Sequence, residues 1–165
     1  MEKCLYLCAV EIFIFNNTGN KILLLKRAEN RRVHPGLVAG VGGKMDCPFG
    51  KIETPLETAI REIGEETGIK SDEISDIRLA GITTADDRFG KWLVFQFIAK
   101  LKSDDTQFKD TDEGKLFWAD INSINELELI PDLKNGILQT YIESSTFQWI
   151  KSEFNENDEL IKLDK

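Results

Sequence analysis

Residues 53–69 read ETPLETAIREIGEETGI, setting five carboxylates, Glu53, Glu57, Glu62, Glu65 and Glu66, against the single Arg61. On a helix, spacings of three and four make Glu62, Glu65 and Glu66 neighbours. Each like-charged pair about 4 Å apart costs roughly 1 kcal/mol in water and about 4 at an effective dielectric of ~20. A bound divalent cation reverses that penalty. Oxygen donors with no His or Cys beside them call for a hard ion, magnesium or manganese rather than zinc. The competing reading is a solvated, glutamate-rich helix. Gly64 argues against it, because glycine inside a helix costs ~1 kcal/mol relative to alanine and propensity alone does not select it. Upstream, Gly42, Gly43 and Lys44 read as a turn whose backbone can approach a ligand or ion closely.

The element that must position these acids is legible at both ends. Thr54 suits the N-cap, Pro55 the first helical position, Glu57 completes a Thr-x-x-Glu capping box and Gly68 ends the helix. The expected helix is therefore Pro55–Thr67. At about 100° per residue, Leu56, Ala59, Ile60 and Ile63 form one stripe, read as the packing face, and Glu62, Glu65 and Glu66 another, read as the binding face.

Glu53, seven intervening residues and then Arg61-Glu62-Ile63-Gly64-Glu65-Glu66-Thr67-Gly68-Ile69 resemble the Nudix box, Gly-x5-Glu-x7-Arg-Glu-U-x-Glu-Glu-x-Gly-U with U aliphatic. Every position from the first glutamate onward is matched. The leading glycine is out of register, since Cys47 stands six residues before Glu53 and Gly43 ten before it, which reads as a four-residue insertion within 46–51. A diphosphate bridge resists hydroxide because its oxygens are already negative, so its hydrolysis needs metal to neutralise them and acidify water. The resemblance implies Glu62 and Glu66 as direct ligands of Mg2+ or Mn2+, Glu65 as a ligand or a water-orienting base, and the Gly43 carbonyl as a backbone ligand. It gives Glu53, Arg61 and Gly68 structural roles. An exposed helical ion pair from Arg61 to Glu57 or Glu65, worth tenths of a kcal/mol, is the plainer reading of that arginine.

Beyond the box, Thr111-Asp112-Glu113-Gly114-Lys115-Leu116-Phe117-Trp118 resembles a segment of the MutT-like branch, the nucleotide-pool-cleaning triphosphatases. That likeness implies Glu113 as metal ligand or base, against an ordinary surface-loop role, and leaves open whether Glu65 or Glu113 is the general base. Leu129-Ile130-Pro131-Asp132-Leu133 is similar to the base-reading loop of oxidised-purine triphosphatases of the mammalian MutT-homologue type. Those commonly carry Trp-Pro-Asp-Asp, so Ile130 removes a stacking ring and Leu133 a carboxylate, while Ala39 stands where an asparagine contacts the base. Lys44, Ala39, Phe89 and Asp132 are the expected substrate contacts. Phe89, Trp92 or Phe117 can stack a purine, although aromatic residues in strands are more often core.

The expected activity is hydrolysis of a nucleoside triphosphate, an oxidised purine deoxynucleotide included, to monophosphate and pyrophosphate. One alternative is an RNA 5′-pyrophosphohydrolase, whose bacterial members share the Glu-Gly-Lys-Leu-x-Trp stretch. Another is a Nudix-like module that senses a nucleotide without cleaving it.

Length and composition suit one catalytic domain over residues 1–165, with 41% hydrophobic and 30% charged residues. The net charge of -8 argues against general affinity for nucleic-acid backbones, though Lys21, Lys26, Arg27, Arg31 and Arg32 form a local basic stretch. Cys4, Cys8 and Cys47 lack zinc or redox spacing and read as reduced thiols of a cytoplasmic protein. Glu11 interrupts the apolar start, and no run reaches the ~18 apolar residues of a membrane span. Neither export nor membrane partners are expected, and the sequence is silent on oligomeric state.

Alternation and turn residues predict strands at 5–15 and 21–27 around a hairpin loop at 16–20, a short strand at 37–41, and a hairpin of 77–84 with 91–101. A strand at 115–120, a helix at 132–143 and a terminal hairpin of 147–154 with 159–163 follow. This mixture implies an α/β (α+β) architecture, a mixed sheet between helices, and the resemblance implies the same α/β/α sandwich.

Overall fold

The structure, a computed structural model, describes residues 5–46, 52–157 and 159–164. The insertion at Cys47, Cys4 and most of the segment joining the glycine stretch to the acidic helix lie outside the described residues. Strands β1 (Leu7–Phe15), β2 (Lys21–Arg27), β3 (Val38–Ala39) and β4 (Val41–Lys44) precede helix α1 (Pro55–Thr67). They are followed by β5 (Ile74–Asp87), β6 (Gly90–Leu101), β7 (Gly114–Asp120), helix α2 (Ile137–Glu143), β8 (Gln148–Phe154) and β9 (Leu160–Asp164).

One mixed sheet runs β3-β2-β1-β6-β5-β8-β9, with β4 pairing β1 and β7 pairing β2 off that path. The β1·β6 and β5·β8 pairs are parallel. Along β1 the two-residue period divides the core: Val10, Ile12 and Ile14 pack with Ala59 and Ile63 of α1, while Phe13 packs with Ile137, Leu138 and Tyr141 of α2. The helices therefore cover opposite faces, and the chain is an α/β/α sandwich. Buried beneath α2, the Tyr141 and Thr83 hydroxyls share a 2.6 Å hydrogen bond. No helix among the described residues is long and apolar enough to cross a membrane.

Three local expectations are corrected. First, Gly42, Gly43 and Lys44 are not a turn. They extend into β4 and lie antiparallel to β1, with Gly42 opposite Glu11 and Gly43 opposite Val10. A Cβ at Gly42 would stand 2.2 Å from the Val10 carbonyl oxygen, so the glycines permit a close strand contact. Second, the helix expected over 132–143 is broken. A single 3-10 turn, Pro131–Leu133, is separated from α2 by Asn135 and Gly136, both left-handed with φ of 56° and 78°, and a helix cannot run through that pair.

Third, only half of the expected aliphatic stripe of α1 packs: Ala59 and Ile63 are in the core. Leu56 and Ile60 are exposed, whereas Thr58, Ala59, Glu62, Ile63, Glu66 and Thr67 are buried. The helix is rolled so that two of its glutamates face the sheet. Both ends are held as the residues require: Thr54 accepts from the Glu57 amide, Glu57 accepts from the Thr54 amide at 2.8 Å, and Gly68 caps in the left-handed region with φ of 76°. Thr54→Ala is expected to lower stability by about 1 kcal/mol through loss of this cap; urea denaturation checks it, and an unchanged midpoint would mean the cap does not hold α1.

Candidate functional site

Glu62 and Glu66 are brought together by one helical turn and pressed against β4. Gly42 donates its N–H to Glu66 Oε2 at 2.9 Å. A Cβ at Gly43 would lie 2.4 Å from Glu62 Oε1, so only glycine leaves that carboxylate its place. Burial drives the Glu66 pKa up to about 7, with the charges of Glu62 and Glu113 adding to the rise and the Gly42 hydrogen bond opposing it. Glu62 is also raised by burial, against the pull of Arg61. The two carboxylates are thus desolvated and under-compensated.

Arg61 fans out over its neighbours. Its Nε donates to Glu53 Oε1 at 3.1 Å, and its Nη1 donates to Glu62 Oε1 and Glu65 Oε2, each at 2.8 Å. Nη2 reaches Glu53 Oε2 at 3.1 Å. Hydrogen bonding to Arg61 holds Glu53 below the usual carboxylate range. Glu65, paired in this way, is 61% exposed.

Above these groups opens a cleft of about 830 Å³. Glu62, Glu66, Gly43, Lys44, Ala39, Phe89, Glu113 and Asp132 all line it. Glu53, Arg61, Glu65 and Gly68 do not, standing behind or beside it on α1 and its caps. Of the aromatic stacking candidates, Phe89 and Trp92 line the cleft, whereas Phe117 packs against the α2-side core. Phe89 is met edge-on by His34 at 5.7 Å and is covered by Arg88 at 4.7 Å. Lys44 sits 5.6 Å over the Trp92 ring.

Of the basic stretch, Arg27, Arg31 and Arg32 enter the cleft and Lys21 and Lys26 do not. Arg31 grips Glu113 in a two-pronged ion pair, Nη1 to Oε1 at 2.7 Å and Nη2 to Oε2 at 2.6 Å. Arg27 is half-buried, donates its Nε–H to the Val33 carbonyl at 3.0 Å, and has its pKa lowered by burial and by Arg31.

Glu11 was legible only as an interruption of an apolar run. It is 7% exposed and lines the cleft, on the sheet face that also carries Phe13. Burial and the charge of Asp132 push its pKa up to about 8, and Asp132 itself is pushed up to about 6 by its own burial. The available signal was a single carboxylate placed in the alternation of a central strand.

Residues 6–140 match the NUDIX domain family. The chain belongs to the Nudix family. It is similar to an uncharacterized Nudix hydrolase, YvcI, from Bacillus subtilis (strain 168), 32% identical over 119 residues that span 69% of this chain and 67% of that protein. A crystal structure of a mutator MutT protein from Bacillus halodurans superposes with a TM-score of 0.72 at 24% identity, covering 96% of each chain. The MutT protein from Methanosarcina mazei Go1 gives 0.63 at 26% identity over 87% of this chain and 94% of that one. The chain is a Nudix pyrophosphohydrolase, and its reaction class is hydrolysis of nucleoside diphosphate-linked compounds. Nudix hydrolases generally use divalent cations for this.

Among the described residues no three acidic, His or Cys side chains are already drawn into a single metal cage. Arg61 accounts for that on the helix, because it turns Glu65 outward while touching Glu62. The donor chemistry nonetheless fits a hard cation: two buried carboxylates beside a glycine backbone, with raised proton affinities that a positive charge would relieve.

These shifts carry a sign. Glu66 and Glu11 retain protons in the folded chain at pH values where the unfolded chain, with ordinary values near 4.5, has released them. Their contribution to stability is full below about pH 4.5 and lost as pH rises through about 7 and 8. Metal-free protein is expected to melt at a lower temperature at pH 8.5 than at pH 5.5, with added magnesium or manganese recovering part of the difference. A higher melting temperature at pH 8.5 without metal would contradict the burial of these carboxyls.

Proposed function

We propose that this Nudix chain, acting over residues 1–165 as a single catalytic domain, hydrolyses a nucleoside triphosphate between the α and β phosphates, with Mg2+ or Mn2+. The products are the monophosphate and pyrophosphate, and oxidised purine deoxynucleotides are the first substrates to test. The observation that carries the reading is the convergence on one cleft of Glu62, Glu66 and the Gly43 backbone with Glu113, three arginines and the ring of Phe89.

In a chain of net charge -8, Arg27, Arg31 and Arg32 give the cleft a local positive wall suited to phosphates. Glu62, Glu66 and the Gly43 carbonyl would hold the cation, with Glu113 as a further ligand or as the base. When bound, the ion supplies positive charge against the phosphate oxygens and makes water a better nucleophile. The protein's own share is positional. The Gly42 amide fixes Glu66, Arg61 fixes Glu62 through a guanidinium anchored on Glu53, and Arg31 fixes Glu113. The water oxygen attacks phosphorus, the bridging P–O bond breaks, and a carboxylate takes the water's proton. Glu113, which lines the cleft, is better placed for that proton than the exposed Glu65. Phe89 and Trp92 would flank the base. A nucleotide-pool activity fits the cytoplasm, where these substrates are found.

Glu66→Gln is expected to lower turnover on the best nucleotide by about 10²-fold or more while leaving the circular dichroism spectrum intact. Wild-type rates in that variant would remove Glu66 from the ligand set. A panel of nucleoside triphosphates with magnesium, run beside a 5′-triphosphorylated RNA, tests the substrate: pyrophosphate release from free nucleotides is the expected result. Cleavage of RNA alone would replace this reading with RNA 5′-end processing, and binding without release would replace it with nucleotide sensing.

A further inference from the structure

Strands β5, β6 and β8 have two faces with different surroundings. Towards α2 they present Thr83, Ala85, Val94, Gln96, Ile150 and Ser152, all buried. The residues that alternate with these point the other way, in rows aligned by the strand register: Phe95, Ile82 and Trp149 in one, Leu93 and Thr84 in the next. None of these five is buried, and Trp149 is 57% exposed. Leu79, opposite Phe97, adds a further exposed side chain to the same face. A sheet face left to water ordinarily alternates to polar residues, yet all but Thr84 are large and apolar.

Helix α1 stops short of this area, because it packs on β4 and β1. Strands β4 and β6 pair the same stretch of β1 and so occupy its two edges. Since Glu62 and Glu66 turn towards β4, the opposite flank of the helix, carrying Leu56 and Ile60, looks over β6. Those two side chains, 43% and 39% exposed, continue the apolar stripe of the sheet. Together the stripe leaves roughly 500 Å² of apolar side chain in water, at the upper end of what a monomer exposes as one patch. With its polar border it reaches the ~800 Å² that each partner brings to a standard interface.

That border consists of ion pairs: Lys91 with Asp86 at 3.0 Å, Lys151 with Glu153 at 2.8 Å and Lys162 with Asp164 at 3.0 Å. It is neutral in a chain of net charge -8, so two copies can meet here without the repulsion that the rest of the surface carries. Each lysine stands beside an acid, and a twofold-related copy therefore offers opposite charges within reach of both. An anionic lipid surface gains nothing from a neutral border. We propose that a second copy of this chain docks on this face, sheet against sheet, in a back-to-back dimer centred on Ile82 and Trp149. The cleft residues Ala85 and Val94 lie on the opposite face of the same strands, and Glu62 and Glu66 on the far flank of α1. Pairing leaves both clefts open, and the proposal stands apart from the hydrolytic reading.

Sedimentation velocity of the full chain from about 1 to 200 μM tests it. The wild type is expected to move with concentration to twice the 18.8 kDa chain mass. Trp149→Glu is expected to weaken self-association about 10-fold or more, and Ile60→Glu on the flanking helix to weaken it in the same direction. Ile161 is 64% exposed but alternates with Lys162 to the opposite face of β9, so Ile161→Glu is expected to leave the dimer unchanged. Circular dichroism establishes that each variant folds. A wild type that sediments as a monomer throughout overturns the proposal without any variant. A dimer that survives in folded Trp149→Glu overturns it too, with Ile60→Glu deciding if the tryptophan variant does not fold. Equal loss of the dimer in Ile161→Glu would move the interface elsewhere and overturn it as well.

Discussion

The arrangement depends on forcing two carboxylates, Glu62 and Glu66, into the interface between a helix and a strand. Burying ionised oxygen is costly, and the fold meets that cost with the backbone at Glu66 and with one guanidinium at Glu62. The Gly42 amide takes one oxygen of Glu66, and the missing side chain of Gly43 leaves room for Glu62. Arg61 then serves as a brace, tying Glu53, Glu62 and Glu65 to one planar group. The glycine strand, the roll of α1 that exposes Leu56 and Ile60, and the raised proton affinity of Glu66 are consequences of one packing decision.

How far the sequence disclosed this can be followed residue by residue. Capping chemistry marked α1 to the residue, because Thr54, Pro55, Glu57 and Gly68 act locally and owe nothing to tertiary contacts. Alternation placed most strands and divided the core, since a two-residue period is a backbone property. The roll of α1 was hidden: hydrophobicity assigns Leu56 and Ile60 inward and glutamates outward, and only contact with β4 reverses it. Gly42 and Gly43 looked like a turn because glycine signals conformational freedom in sequence, whereas here they permit close approach. The broken second helix has a local mark in Asn135-Gly136, whose left-handed backbone no helix can run through.

The site divides similarly. Glu62, Glu66, Gly43 and Glu113 were legible through the box and the Glu-Gly-Lys segment, and they line one cleft. The Arg31 to Glu113 contact joins positions far apart in the chain, and nothing local announces it. Glu11 was concealed for a different reason: in sequence it is merely a polar residue in an apolar strand, and its setting emerges only when β6 and the Ile130 to Asp132 segment close around it.

The position of β1 also bears on how the protein is made. This strand pairs with β2, with β4 and, in parallel from Leu7↔Trp92 to Phe15↔Lys100, with β6. Parallel partners so distant in sequence form late, because loop closure must precede any stabilising contact. On the ribosome, the apolar β1 must therefore wait, incompletely paired, until β6 has been synthesised, and during that interval it is a surface on which nascent chains can stick to one another.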